Sequence, residues 1–529
     1  MISNTHLHKF ITAFITIAVI LVSGSLYYSI TSDDRVVGLS TDDAIYLIMA
    51  EVYSPWHRGT DSLLEFVRSQ NHFPPFYPVV MGLMGVTSGN PELASHVSTA
   101  FLILGFIAAG FWVYSETGSY FAGLLIALMI CIMPGTLIFT QELWSEFLFI
   151  GLLYTTLFIL SRSVITGRLW LIAALLAALC SLTRTIGISL VIAYCLTLLI
   201  KRPRYYPVYA AAGLLPIVYW LLIGSGGVSE SAYIGTLLDT LANLNLARFT
   251  EITVNKASVV YHSLYWLLTG RDNPAQYHYP VMLFLLAMIG ISLLAFVKRF
   301  KEKKIDVYFL ALYLCVIFVW PFTDRYFVSR FLFPVLPVLF LYSYLGLKTI
   351  IHRKTYRTYG LGITLVLTCM IGLPESLNII HLATTSVGND LDPYRRNRSW
   401  LSSASHDEAI KNAKGTKILL TSLQELQKYI PQGECVYSTY TALVMLHLHR
   451  ISGALPAPDV NDADFGRQTV NCRYIIALPL VDYERKYPEF YPVDRLANNG
   501  NYRITPYLSK MTNYSKPALF LIERISQAE

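Results

Sequence analysis

The chain has 529 residues, of which 54% are hydrophobic and only 14% charged, against roughly a quarter charged in soluble globular proteins. Its mean hydropathy is +0.47, and apolar runs of roughly 15 to 22 residues recur through the first 376 positions, which excludes a disordered chain and argues against a soluble enzyme. The excess of 41 Lys and Arg over 34 Asp and Glu gives +7, but the basic residues cluster in short loops between apolar runs and no nucleic-acid motif accompanies them.

The first run, residues 10–30, is too long for a signal-peptide core and has no small-residue cleavage site, so it is expected to persist as a helix. Lys9 and two nearby histidines leave the N-terminus inside. Further spans read approximately 93–114, 120–138, 146–161, 169–182, 187–200, 207–223, 281–297, 306–322, 331–348 and 359–376. About eleven transmembrane helices result, which puts the C-terminus outside. Lys201, Arg202 and Arg204, the group from Lys298 to Lys304, and the group from Lys348 to Arg357 then fall in inside loops, as the positive-inside bias requires. The runs 169–182 and 187–200 are short and meet at Ser181-Leu182-Thr183-Arg184-Thr185-Ile186-Gly187, which reads as a bent pair reaching the outer surface.

Two outside segments are long, 31–92 and 224–280. The stretch 43–67 mixes apolar and polar residues, suggesting helices along the membrane surface. Beyond 377 the chain becomes ordinarily polar, with predicted strands at 417–420, 434–438, 473–478 and 518–522 and a helical stretch at 422–430. The expected division is therefore a helical membrane part, 1–376, and an extracytoplasmic α/β domain, 377–529. Five cysteines lie in apolar runs as packing residues; Cys435 and Cys472 are the pair in the polar part, and a disulfide between them suits an oxidising compartment, although spacing alone does not establish pairing.

The sharpest local feature is Ser40-Thr41-Asp42-Asp43-Ala44-Ile45-Tyr46, about ten residues after the first span. Adjacent acids at a helix start are favoured by the dipole. Beside a membrane, one of them also suits a general base acting on an acceptor hydroxyl while the other orients acceptor or metal. This motif resembles the Asp-Asp or Asp-Glu motif of the GT-C glycosyltransferases, in particular the group of dolichyl-phosphate-mannose protein mannosyltransferases and lipid A aminoarabinose transferases. Asn71-His72-Phe73-Pro74-Pro75-Phe76-Tyr77-Pro78 resembles the Pro-Pro-x-Tyr-Pro signature before the second span of that group. Glu146, in Phe139-Thr140-Gln141-Glu142-Leu143-Trp144-Ser145-Glu146, resembles the acid preceding its fourth span, and Glu142 is the alternative four residues earlier on the same helical face. Thr183-Arg184 resembles its Thr-Arg at an outer bend, and Asp324-Arg325-Tyr326 with Arg330-Phe331-Leu332-Phe333-Pro334 resembles its Arg-Tyr-Leu-x-Pro segment. Where aminoarabinose transferases commonly carry Arg before the motif Tyr, this chain has Ile45.

The resemblance implies an integral membrane glycosyltransferase that moves a sugar from a polyprenyl-phosphate donor to an acceptor outside the membrane by inverting single displacement. Catalytic roles fall to Asp42, Asp43 and Glu146, with Asp42 preferred as base; substrate-binding roles fall to Tyr46, His72, Tyr77, Glu142, Arg184, Arg325 and Arg330. The arginines would hold the phosphate leaving group. Asp43 and Glu146 suit a divalent cation such as Mg or Mn, or none. Partners are then the lipid-linked donor, membrane lipid, and a protein, lipid or cell-envelope glycan acceptor, as in protein glycosylation or lipopolysaccharide modification, without nucleic acid. The expected location is a cell inner membrane with the site on the periplasmic side. The alternatives are a lipid-linked polysaccharide polymerase or ligase and, less favoured, a transporter or flippase. Asn397-Arg398-Ser399 and Asn513-Tyr514-Ser515 match the N-glycosylation pattern only as short triplets.

Overall fold

The computed structural model describes residues 4–31, 38–39, 41–57, 60–70, 73–162, 164–224, 242, 245–271, 278–320, 324–351, 354–394, 406–479, 490–497, 499–507 and 517–525. Both glycosylation triplets and His72 lie outside these residues.

Apolar runs become helices wherever capping and proline chemistry allow. Pro91–Thr117 starts at Asn90, whose side chain accepts from the Leu93 N–H, and stops at left-handed Gly118. The run expected as one span over 120–138 is broken: Tyr120–Cys131 ends short of Pro134, which opens the separate helix Pro134–Phe139. The expected span 331–348 lies within the continuous helical stretch 325–350, in which a 3-10 turn, Phe333–Val335, joins Arg325–Leu332 to Leu336–Ile350 at Pro334 and Pro337. The bent pair is present: Gly167–Thr183 gives way at Arg184 to an extended backbone and a short turn before Ile188–Lys201.

Among the described residues, Pro91–Thr117, Tyr279–Lys301 and Arg325–Ile350 are long and apolar enough to cross a membrane, and seven shorter apolar helices accompany them. The molecule is thus a helical polytopic membrane protein with a small C-terminal sheet. Pro91–Thr117 packs most extensively on Ser145–Leu160, and a Cβ at Gly105 would run into Ile150. A buried charge cluster ties four helices: Arg299 donates to both Asp306 oxygens at 2.7 Å and to Glu116 at 3.0 Å, and Tyr342 donates to Asp306 at 2.6 Å.

The helix Thr41–Tyr53 does not lie along a surface, as the mixed stretch 43–67 had suggested. Ala44 to Ala50 are all buried, because this turn of sequence is apolar on every face. It packs between Phe76–Leu83 and the C-terminal helix Thr441–Leu448. Among the described side chains of Asp61–Ser69, by contrast, those buried are Leu63, Phe66 and Val67.

The C-terminal sheet has the order β2-β1-β3-β5-β4, with β1 Val436–Ser438, β2 Ser452–Ala454, β3 Tyr474–Ala477, β4 Tyr502–Tyr507 and β5 Leu519–Arg524. β1 is parallel to β2 and β3; β5 is antiparallel to β3 and β4. Residues 417–420 are not a strand: they belong to the helix His406–Leu426, whose Ala409, Ala413, Thr416, Leu420 and Leu423 recur at helical spacing on its buried face. Cys435 and Cys472, each just ahead of neighbouring parallel strands, form a disulfide with Cα atoms 5.1 Å apart. Ala442, Met445 and Leu446 from Thr441–Leu448 join the main helical core, and Gly38 lies against Leu446. The helix Lys354–Thr384 runs past position 376, so it continues beyond the expected boundary.

Candidate active site

Asp42 and Asp43 both occupy the first turn of Thr41–Tyr53, where exposed backbone N–H groups favour negative charge. One residue turns the helix by about 100°, so the two carboxylates face different surroundings. Asp43 is 2% exposed, and its Oδ1 accepts the Leu143 N–H at 3.0 Å. The Asp42 side chain is 24% exposed, and its Oδ2 accepts from Arg330 Nη1 at 2.9 Å.

Arg330 is the hub. Its Nε donates to Glu146 Oε1 at 2.7 Å, so one guanidinium joins an acid of the helix Thr41–Tyr53 to an acid in the first turn of Ser145–Leu160. Arg184, set at the extended break of the bent pair, makes an ion pair with the same Glu146 oxygen. Both guanidiniums are backed by aromatic rings: Arg330 Cζ lies 3.4 Å from the Trp144 centroid, and Arg184 Cζ lies 5.0 Å from that of Phe331. Such stacking suits the planar, weakly hydrated guanidinium and would not suit a lysine equally.

Glu142 accepts the Tyr326 hydroxyl at 3.0 Å, so it adjoins the cluster rather than bonding the same guanidinium. Tyr46 donates to Ser145 Oγ at 3.0 Å. The Tyr77 ring meets Tyr46 edge to face with centroids 4.9 Å apart, while its hydroxyl bonds Ser98 at 3.1 Å. Arg325 opens the helix Arg325–Leu332, which Asp324 caps by accepting the Tyr326 and Phe327 N–H groups. Five residues separate it from Arg330, about 140° around the helix, so the two arginines leave from different faces.

Burial first, then the Glu142 and Asp42 carboxylates, push the Asp43 pKa well above the usual carboxylate range, against the opposing Leu143 N–H and Arg330. The two adjacent acids are therefore unlike: Asp43 is buried with its pKa raised, and Asp42 reaches solvent and is ion-paired.

Among the described residues no three His, Cys, Asp or Glu side chains come together as metal ligands. Asp43 and Glu146 do not fit the divalent cation that their residue types suggested, since Glu146 faces two guanidiniums and Asp43 is engaged by a backbone N–H.

The sequence had not singled out Trp144 and Ser145, or Gln141 three residues before Trp144. Their signal was position alone, within the segment that carries Glu142 and Glu146. Gln141 is 3% exposed and its amide N and O have no hydrogen-bond partner; the Trp144 indole N–H, also buried, has none either.

No protein-family model matches the sequence, and a comparison with curated proteins gives no significant match. Among solved structures, the chain is similar to ArnT from Cupriavidus metallidurans in the apo state, with 12% identity, 96% of this chain and 97% of that one covered, and a TM-score of 0.49. It is also similar to ArnT from the same organism bound to undecaprenyl phosphate, with 11% identity, 97% of this chain and 98% of that one covered, and a TM-score of 0.47.

Proposed function

We propose that the chain is a GT-C-type membrane glycosyltransferase that moves one sugar from a polyprenyl phosphate to an acceptor hydroxyl on the extracytoplasmic side. The reading rests on one observation: Arg330 is shared between Asp42 and Glu146, with Arg184 on the same Glu146 oxygen, beside the ends of apolar helices. Two stacked guanidiniums in a site poor in water are a receptor for a phosphate that gains charge as its bond to the sugar breaks. A carboxylate in reach of solvent next to them is what an acceptor hydroxyl needs.

In this mechanism the donor phosphate takes Arg330 over from Asp42, which leaves the Asp42 carboxylate to accept the acceptor's hydroxyl proton. The acceptor oxygen bonds to the anomeric carbon as the carbon–oxygen bond to phosphate breaks, inverting that carbon. The polyprenyl phosphate departs with the bonding electrons, held by Arg330 and Arg184. Glu146 orients both arginines, and Tyr46 braces the segment through Ser145. Asp43, buried and accepting the Leu143 N–H, positions that segment, and Asp42, which reaches solvent, is the base. The disulfide of the C-terminal part agrees with an oxidising compartment for this side of the membrane.

The test is mass spectrometry of polyprenyl-phosphate sugars and envelope glycans in cells carrying the wild-type chain or Asp42→Asn. Accumulation of one sugar-bearing carrier together with loss of one glycan modification supports the reading and identifies donor and acceptor. Identical profiles overturn it.

A further inference from the structure

Buried polar atoms almost always find partners, so an exception beside a cluster of charged groups needs an explanation, and a bound ligand supplies one. The segment from Gln141 to Glu146 holds two such exceptions. The Gln141 side chain leaves both its amide N and its carbonyl O unbonded, and three residues on the Trp144 indole N–H is unbonded as well. Neither residue is there merely to fill apolar space: a Leu or Met would occupy the Gln141 position without desolvating an amide.

Their place in the site narrows the ligand. Trp144 stacks on the guanidinium of Arg330, and the next side chains in the segment are Ser145 and Glu146, which bind Tyr46 and both arginines. Trp144, stacked on one of the phosphate-holding arginines, is next to whatever is bonded directly to that phosphate, which in a lipid-linked donor is the sugar, and Gln141 precedes it by three residues in the same segment. A primary amide offers one acceptor and two donors, and an indole adds one donor. Together they complement neighbouring sugar hydroxyls, each of which both gives and receives a hydrogen bond.

We infer that Gln141 and the Trp144 indole N–H recognise hydroxyls of the donor's sugar and so determine which sugar is transferred. This rests on the glycosyltransferase reading above. It adds a sugar-reading element to the phosphate-reading arginines. The discrimination follows from the same unpaired atoms: a sugar that lacks the matching hydroxyl leaves them buried and unbonded in the complex as well.

The experiment uses the purified full-length chain in lipid nanodiscs and measures binding of farnesyl phosphate and of its esters with glucose, mannose or arabinose. In the wild type, at least one ester is expected to bind about tenfold more tightly than bare farnesyl phosphate, the gain of one or two good hydrogen bonds. Gln141→Met is expected to bring the two affinities together while the affinity for farnesyl phosphate and the melting temperature stay at or above wild type. Trp144→Phe, which keeps a ring under Arg330 and removes the N–H, is expected to shrink the same sugar-dependent difference. Persistence of that difference in both variants, or its absence in the wild type, overturns the inference and leaves the phosphate site standing. Failure of the wild type to bind farnesyl phosphate at all overturns the glycosyltransferase reading and this inference with it.

Discussion

Arg330 and Asp42 stand 288 positions apart in the chain and meet at 2.9 Å, Nη1 to Oδ2, with the same guanidinium held by Glu146 at 2.7 Å. Removing the guanidinium would leave Asp42 without its cation and the buried Glu146 with Arg184 alone. Arg330→Met is expected to lower stability by about 3 kcal/mol, as when one partner of a buried pair is lost. Arg330→Lys keeps the charge but cannot serve two carboxylates and a ring at once, and is expected to reduce transfer about 100-fold. Thermal unfolding and turnover of the two variants side by side check both statements; a fully active Arg330→Lys would refute the shared-guanidinium mechanism.

Asp42 and Asp43 are expected to separate cleanly by mutation. Asp42→Asn removes the base and should lower turnover by about 10² to 10⁴. Asp43→Asn retains an oxygen to accept the Leu143 N–H and should leave turnover within about tenfold of wild type. Steady-state kinetics of the pair decides, and the opposite ranking would exchange their roles.

Asp43 also gives a pH signature. Its carboxyl pKa is raised in the folded chain, so the folded state binds its proton more tightly than the unfolded state does. The stability this contributes is fully present below the unfolded pKa, near 3.8, and is lost as pH rises toward and through the folded value. Asp43→Asn has no such proton to lose. Its melting temperature, scanned from about pH 4 upward, is expected to fall less than that of wild type; parallel curves would contradict the assignment.

The buried charge cluster around Arg299 is expected to matter for stability and not for chemistry. Arg299 is buried and bonded to Asp306 and Glu116, so Arg299→Met should cost about 3 to 5 kcal/mol. Adding Asp306→Leu should restore part of the loss, since the stranded acid is then gone. Turnover per folded molecule should be unchanged throughout, which activity normalised to the folded fraction measures.

The Cys435–Cys472 bridge closes a loop of sequence separation 37. Cys435→Ser with Cys472→Ser should lower the stability of the C-terminal part by about 2 to 4 kcal/mol. Because β1 leads directly into Thr441–Leu448, which packs on Thr41–Tyr53, protease sensitivity of the double variant should rise around both helices. Cleavage patterns before and after reduction provide the check.

The sequence by itself determined the helices, because a long apolar run in a chain this poor in charge has few other stable forms, and caps such as Asn90 and breakers such as Pro134 punctuate them locally. Through the resemblance of its motifs it also marked Asp42, Asp43, Glu142, Glu146, Arg184, Arg325 and Arg330 as site candidates. Local patterning failed where length was short or context decided. β2 is only Ser452–Ala454, and the six-residue β4 carries Pro506 on an edge, so neither carries a clear strand signal, while 417–420 looked extended until the whole turn-by-turn pattern of His406–Leu426 was satisfied. Only the tertiary structure separated Asp43 from Asp42 and brought Arg330 to both Asp42 and Glu146. Adjacent identical acids differ by which side of a helix is buried, and Arg330 meets Glu146 across the bundle; both are decided by packing between segments far apart in the chain, which no local pattern records.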